Sequence, residues 1–291
     1  MLKINNSTFG LSYIILSKMI AGMTILTILT ILVIHSSDGF TQVGLGYLSQ
    51  RWFPAQAEYG VLSLLYGSFM VTFLALLFAV PFGVCAAIAL SEYLSTSYRL
   101  IVKSIVELMS GIPSIIYGLI GIVFVSQWVK DIFNLSFGRT LFTASILLSI
   151  MIIPTLISLC DDVFRQIPND FRETAQGLGL TKFEVIFESL LPIAFPQIVG
   201  VVLLALGRAI GETMAIMLVI GGIDKIPVPF TNVFVPGQTI TSKLGREISE
   251  SSIGSLHFSV LVSLGLILMI VVLLLTFLTY KVFDIHERVH E

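Results

Sequence analysis

The sequence predicts an all-α integral membrane protein with six transmembrane helices, and three observations lead there. Hydrophobic residues make up 56% of the 291 positions and charged residues only 12%, with mean hydropathy +0.98, whereas soluble domains are about one-quarter charged. Apolar windows near residues 14–35, 64–91, 104–128, 141–160, 194–222 and 257–281 match the ~20 residues a helix needs to cross the hydrocarbon. The windows are continuous apolar runs, whereas barrel strands alternate over about 10 residues.

The first window, MIAGMTILTILTILVIH, follows Lys3 and Lys18 and is succeeded by SSDGFTQ. No small-x-small cleavage pattern follows it, so it reads as a retained helix rather than a secretory leader. The second and fourth windows hold Cys85 and Cys160, which are expected to pack between helices and not to form a disulfide or metal pair. In the third, Glu107 lies four residues beyond Lys103, a spacing that lets the two pair and reach the membrane interface. His35 and His257 stand singly at span ends, while His286 and His290 fall in the charged tail FDIHERVHE, read as exposed.

Lys and Arg in the connecting segments orient the bundle. With the N-terminus inside, nine fall on the cytoplasmic side (Lys3, Lys18, Arg99, Lys103, Arg165, Arg172, Lys182, Lys281, Arg288) against six outside (Arg51, Lys130, Arg139, Lys225, Lys243, Arg246). That excess places both termini in the cytoplasm. Two outer segments, 36–63 and 223–256, are punctuated by Pro and Gly and read as irregular loops, either helix connections or a docking surface.

The inner segment 161–192, DDVFRQIPNDFRETAQGLGLTKFEVIFESLLP, carries helical signals. Pro168, Asn169 and Asp170 start a helix, Gly177 and Gly179 interrupt it, and Thr181 with Glu184 forms a capping box that reopens a helix running to a stop at Pro192. Its apolar residues suit an amphipathic helix on the lipid surface or a knob for a partner's groove.

The fifth window holds Arg208 and Glu212. A charge at mid-membrane costs about 2.5–3.5 kcal/mol on insertion scales. On a continuous helix the two share a face and partly neutralise each other; the other reading is that they line a wet cavity. Gly207 and Gly211 form a small-x-x-x-small face beside them, which admits another helix closely. The planar guanidinium suits an oxyanion, and the glutamate would hold that fork in readiness.

The formal net charge of −2 gives no indication of nucleic-acid binding. The sequence contains no G-x-x-x-x-G-K-[ST] phosphate cradle, H-E-x-x-H or G-x-S-x-G pattern. The segments outside the spans are shorter than the roughly 100 residues of an ordinary catalytic domain. If transport is driven by ATP, the hydrolysing site therefore lies on another chain, and a passive transport subunit of that kind is one class the sequence allows. A secondary transporter with Glu212 carrying a proton is the competing class, weakened by the lack of visible repeats. An intramembrane enzyme or scaffold lacks a nucleophile-base pair.

The inner stretch ETAQGLGLTKFEVIFESLLP resembles the EAA loop of ABC importer permeases, with Glu173, Ala175, Gly179, Leu191 and Pro192 in place. Thr174 stands where a second alanine is usual, and Ser189 where isoleucine is. GRAIGETMAIMLVIGG, SGIPSIIYGLIG, WFPAQAEYG and YGSFMVTFLALLFAVPFG are similar to the PstC-type permeases of phosphate-specific ABC importers. The resemblance implies the type I importer (MetI-like) fold: an N-terminal helix and outer loop over 1–63, then a five-helix permease core over 64–291. It implies import of inorganic phosphate through alternating access in a bacterial or archaeal cytoplasmic membrane, with Arg208 and Glu212 on the path. It also implies a PstA-type sister permease, a PstB-type ATPase dimer holding ATP and Mg and gripping the EAA loop, and a PstS-type binding protein outside. No cofactor or metal is expected in this chain. A PstA-type role or another oxyanion remains the alternative within the resemblance.

Overall fold

A computed structural model describes residues 5–289, with side chains described from Tyr13 to Lys281. Six helical stretches are long and apolar enough to span a membrane, and both described chain ends lie at the same end of the bundle.

Helix α1 (Asn5–Val43) packs against α12 (Leu256–Val289), and its apolar window is only 6% buried. The contrast is α6 (Leu141–Gln166), whose window is 61% buried, so α6 is the central strut. Its main partner is α2 (Leu62–Ile88), which presents Ala75, Ala79, Gly83 and Ala87 at every fourth position, all buried. Small residues at that spacing let two helix backbones approach. A Cβ on Gly83 would lie 2.8 Å from the Leu156 Cβ, so the approach depends on the missing methyl.

The third window does not form one continuous span. Residues 104–110 belong to α3 (Thr96–Ser110), an amphipathic helix lying against the far end of α6, and the chain then bends at Gly111-Ile112-Pro113. The span is Ser114–Ile132, built from α4 (Ser114–Ile120), a π-helical turn and α5 (Ser126–Ile132). Pro113 favours the extended conformation at Ile112 and starts the new helix. Lys103 does not pair with Glu107, which is exposed. It meets Asp162, and Asp161 at 3.4 Å, because the amphipathic turn points it at α6.

That contact belongs to an ionic layer. Asp161, fully buried, accepts from Arg99 Nε at 3.0 Å and from Arg99 Nη2 at 2.6 Å on each oxygen. Burial pulls the Lys103 ammonium down, but the two aspartates outweigh it and hold it above the usual lysine range.

The elbow forms as the sequence predicts. Helix α7 (Asn169–Gly177) leads to Gly179 at φ +87°, which only glycine adopts freely, and then to α8 (Lys182–Glu184). Thr181 and Glu184 make both bonds of the capping box. The expected stop at Pro192 does not occur. A π-helical turn over Val185–Leu190 runs directly into α9 (Leu191–Gly211). The widened turn displaces the carbonyl of Glu188, the one the Pro192 ring would strike in a regular helix.

The outer segments are more ordered than expected. Helix α1 extends through Val43, and Trp52–Phe53 pairs with Glu58–Tyr59 in a small hairpin. The 223–256 segment contains α11 (Ile240–Glu247), capped by Thr239. Trp52, Tyr59, Leu64, Ile240 and Leu261 form a second apolar core under this cap. Beside it Lys243 is buried with Asp224 at 2.6 Å and Glu247 at 2.7 Å, so it does not act as a free surface charge. Burial pushes the Asp224 carboxyl up, against the pull of that ammonium.

Cys160 is buried as expected, but Cys85 is exposed on α2 because the small-residue face of that helix, not its cysteine, meets α6. His35 packs edge-on against Phe258, and His257 stacks on Tyr59. The side chains of His286 and His290 lie outside the described ones.

Candidate functional site

Two sites predicted from sequence lie far apart along the bundle, one at mid-depth and one at the end bearing both described chain ends. The first is the end of α9. The predicted helix through residue 222 is interrupted: α9 stops at Gly211, Glu212 is extended (φ −67°, ψ +126°), and α10 (Met214–Val219) begins anew. The break redirects the chain beyond Glu212, and Arg208 and Glu212 form no ion pair with each other. Among the described residues, the guanidinium has no carboxylate partner; its Nη1 donates to Thr155 Oγ1 at 2.9 Å. Mutual neutralisation is replaced by a contact from α9 to α6.

Tertiary contacts hold the break open. Thr241 on α11 donates to the Glu212 carbonyl at 2.7 Å, and the Thr213 hydroxyl donates to the Gly211 carbonyl at 3.2 Å. A Cβ on Gly245 would sit 2.9 Å from Thr213 Cγ2. Irregular backbone at membrane depth is tolerated where protein contacts or a cavity satisfy its polar groups.

Thr155 fixes the depth. It lies fourteen residues after Leu141 and eleven before Gln166 in α6, about 21 Å and 16 Å from the two helix ends. Arg208 is exposed at that level and lines a cavity of about 300 Å³ between α9 and α12, with Gly207, Thr276 and Thr279. Gly207 and Gly211 have nothing within 4 Å of an added Cβ, so among the described residues no helix uses the small-residue face.

The second site is the elbow. Glu173 and Thr174 are exposed on α7, Ala175 is buried beneath them, Gly179 makes the turn, and Leu191 and Pro192 begin α9 half-buried and exposed. Val185, Ile186 and Leu190 enter the core, whereas Leu178 (79% exposed) and Phe183 (62%) do not. A hollow of about 490 Å³ opens between Phe171, Thr174, Leu178 and Ser189.

The ties between the elbow and the bundle are tertiary contacts that no local pattern in the sequence marks. Arg172, counted only as an orienting charge, donates to Glu92 at 2.7 and 3.2 Å and to the carbonyls of Phe164 and Ile167 at 2.8 and 2.9 Å. It thereby caps α6 and links α7 to the end of the α2 span. The adjacent acids Asp161-Asp162 and the i, i+4 cations Arg99 and Lys103 carried a readable signal, since charges closing an apolar run need partners.

The sequence profile described as "Binding-protein-dependent transport system inner membrane component" matches residues 79–288. The chain is 37% identical over 264 residues to the phosphate transport system permease protein PstC of Pasteurella multocida, covering 84% of this chain and 81% of the relative. It is 35% identical to the PstC of Mesorhizobium japonicum (87% and 83% covered), and 33% identical to the probable ABC transporter permease protein YqgH of Bacillus subtilis (76% and 72%). In solved structures, the fold resembles chains of a bacterial alginate ABC transporter (TM-score 0.60, 20% identity, 96% and 95% covered) and of the MetNI methionine ABC transporter (0.55, 19%, 78% and 94%). The architecture is that of type I ABC importer permeases. A multi-pass helical bundle with a profile match over most of its length makes the conclusion direct: this chain belongs to the family of binding-protein-dependent transport system inner membrane components.

Proposed function

We propose that the chain is the PstC-type permease subunit of an ATP-driven importer of inorganic phosphate, with Arg208 and Glu212 on the translocation path. The observation that carries the reading is an exposed guanidinium at bundle mid-depth, beside a broken helix, with no carboxylate partner among the described residues. Such a charge is stable in a membrane when it faces water or a partner chain. The open face at Gly207 and Gly211 suits a second permease subunit of PstA type. The relatives named as phosphate permeases supply the substrate class.

The elbow is the coupling element in this reading. Exposed Phe171, Leu178 and Phe183 form an apolar knob for a PstB-type ATPase dimer, which would hold ATP and Mg. Both termini and the elbow would face the cytoplasm, and a PstS-type binding protein would deliver phosphate to the hairpin and α11 end. Closure of the ATPase dimer moves α7, and the Arg172 bonds pass that motion to α2 and α6. Arg208 is then presented to each side in turn.

The test is uptake of labelled inorganic phosphate by the assembled transporter in proteoliposomes. Arg208→Gln should abolish uptake while leaving assembly with the partner subunits intact. Normal uptake by that variant overturns the assignment, and uptake suppressed by excess sulfate identifies a different oxyanion as cargo.

A further inference from the structure

We infer that Thr155 is a second ligand of the anion site: it aims the Arg208 fork by accepting one of its hydrogen bonds, and its own hydroxyl donates a hydrogen bond to the bound oxyanion. The inference rests on the reading of Arg208 as the anion contact.

Three observations carry it. Thr155 Oγ1 accepts from Arg208 Nη1 at 2.9 Å. A guanidinium has five N–H donors in a fixed plane, so holding one edge on Oγ1 leaves the remaining donors oriented together, the geometry that grips a tetrahedral oxyanion.

The Thr155 proton is also uncommitted. Thr24, Thr27, Thr30, Thr276 and Thr279 each donate to the carbonyl four residues back, the usual use of a threonine hydroxyl in a membrane helix. Thr155 makes no such bond; among the described residues its hydroxyl contacts only Arg208, as acceptor. Because a hydroxyl accepts and donates at once, an anion bound to Arg208 meets a donor already beside it.

Finally, the position is built. Pro154 lies inside α6, where its ring removes a backbone bond, and Thr155 follows at once, half-buried.

The experiment measures labelled inorganic phosphate uptake by the complete transporter as KM and maximal rate, comparing Thr155→Val, Thr155→Ser and Arg208→Gln. Valine keeps the shape and loses the hydroxyl; a hydrogen bond to a charged group corresponds to roughly tenfold or more, so KM should rise by about that factor. Serine should restore KM to within about twofold, a rescue that a packing role for the threonine methyl would not show. KM is independent of the amount of assembled protein, so reduced assembly leaves the comparison valid, and Thr155→Ala serves as the second variant if valine prevents assembly.

An unchanged KM in Thr155→Val, or serine as impaired as valine, overturns the inference while loss of uptake in Arg208→Gln still stands. Normal uptake in Arg208→Gln removes the reading beneath it instead.

Discussion

Replacing Asp161 by asparagine should destabilise the isolated chain by about 3–5 kcal/mol, the usual consequence of removing one partner of a buried ion pair. The estimate follows from the geometry. Asp161 is fully buried and Arg99 is 8% exposed, with three hydrogen bonds of 2.6–3.0 Å joining them. Asparagine conserves volume but leaves the Arg99 guanidinium buried without a counter-charge. Lys103 keeps Asp162, so the loss concentrates on one cation.

Arg99→Met combined with Asp161→Leu removes both charges, and apolar replacement of a buried pair is often neutral or favourable. The double variant should therefore recover most of the loss. Reversible unfolding of the purified chain in mixed micelles, followed by circular dichroism, measures all variants, and the double-mutant cycle isolates the coupling. A single variant within about 0.5 kcal/mol of the parent, or a double variant no more stable than the single, would refute the reasoning.

Gly67→Ala should impair assembly severely: the new Cβ would lie 2.0 Å from the Gln238 carbonyl oxygen, more than the usual overpacking penalty of about 1–3 kcal/mol, and membrane abundance reads it out. Arg172→Ala should leave ATP hydrolysis by the complex while lowering phosphate moved per ATP, and Arg172→Lys should rescue poorly because one ammonium cannot span Glu92 and two carbonyls. Equal loss of both activities would count against a linking role. Thr181→Ala removes the capping box and should weaken the start of α8 by about 1 kcal/mol, seen as faster amide exchange confined to residues 181–190.

Much of the architecture is readable one segment at a time. Apolar run length and the scarcity of charge identify the spans, because backbone polar groups in hydrocarbon must be satisfied within a helix. The elbow is equally local: Gly179 supplies a left-handed turn, and Thr181 and Glu184 satisfy orphan amides within one turn. The positions of Arg208 and of the elbow residues Glu173 to Pro192 followed from those signals together with the resemblance.

Partner choice is where local reading ends. Nothing in the run GRAIGETMA marks a break at Glu212; the break depends on Thr241, twenty-nine residues later, holding its carbonyl. Lys103 turns from nearby Glu107 to Asp162, fifty-nine residues away, and Arg208 turns to Thr155, fifty-three residues away. Hydrophobic burial acts on each helix through its own sequence, so the sequence alone determined that six segments span, although the third starts at Ser114 and not at 104. Hydrogen bonds and ion pairs act over about 3 Å, so only the tertiary packing decided which polar groups meet there.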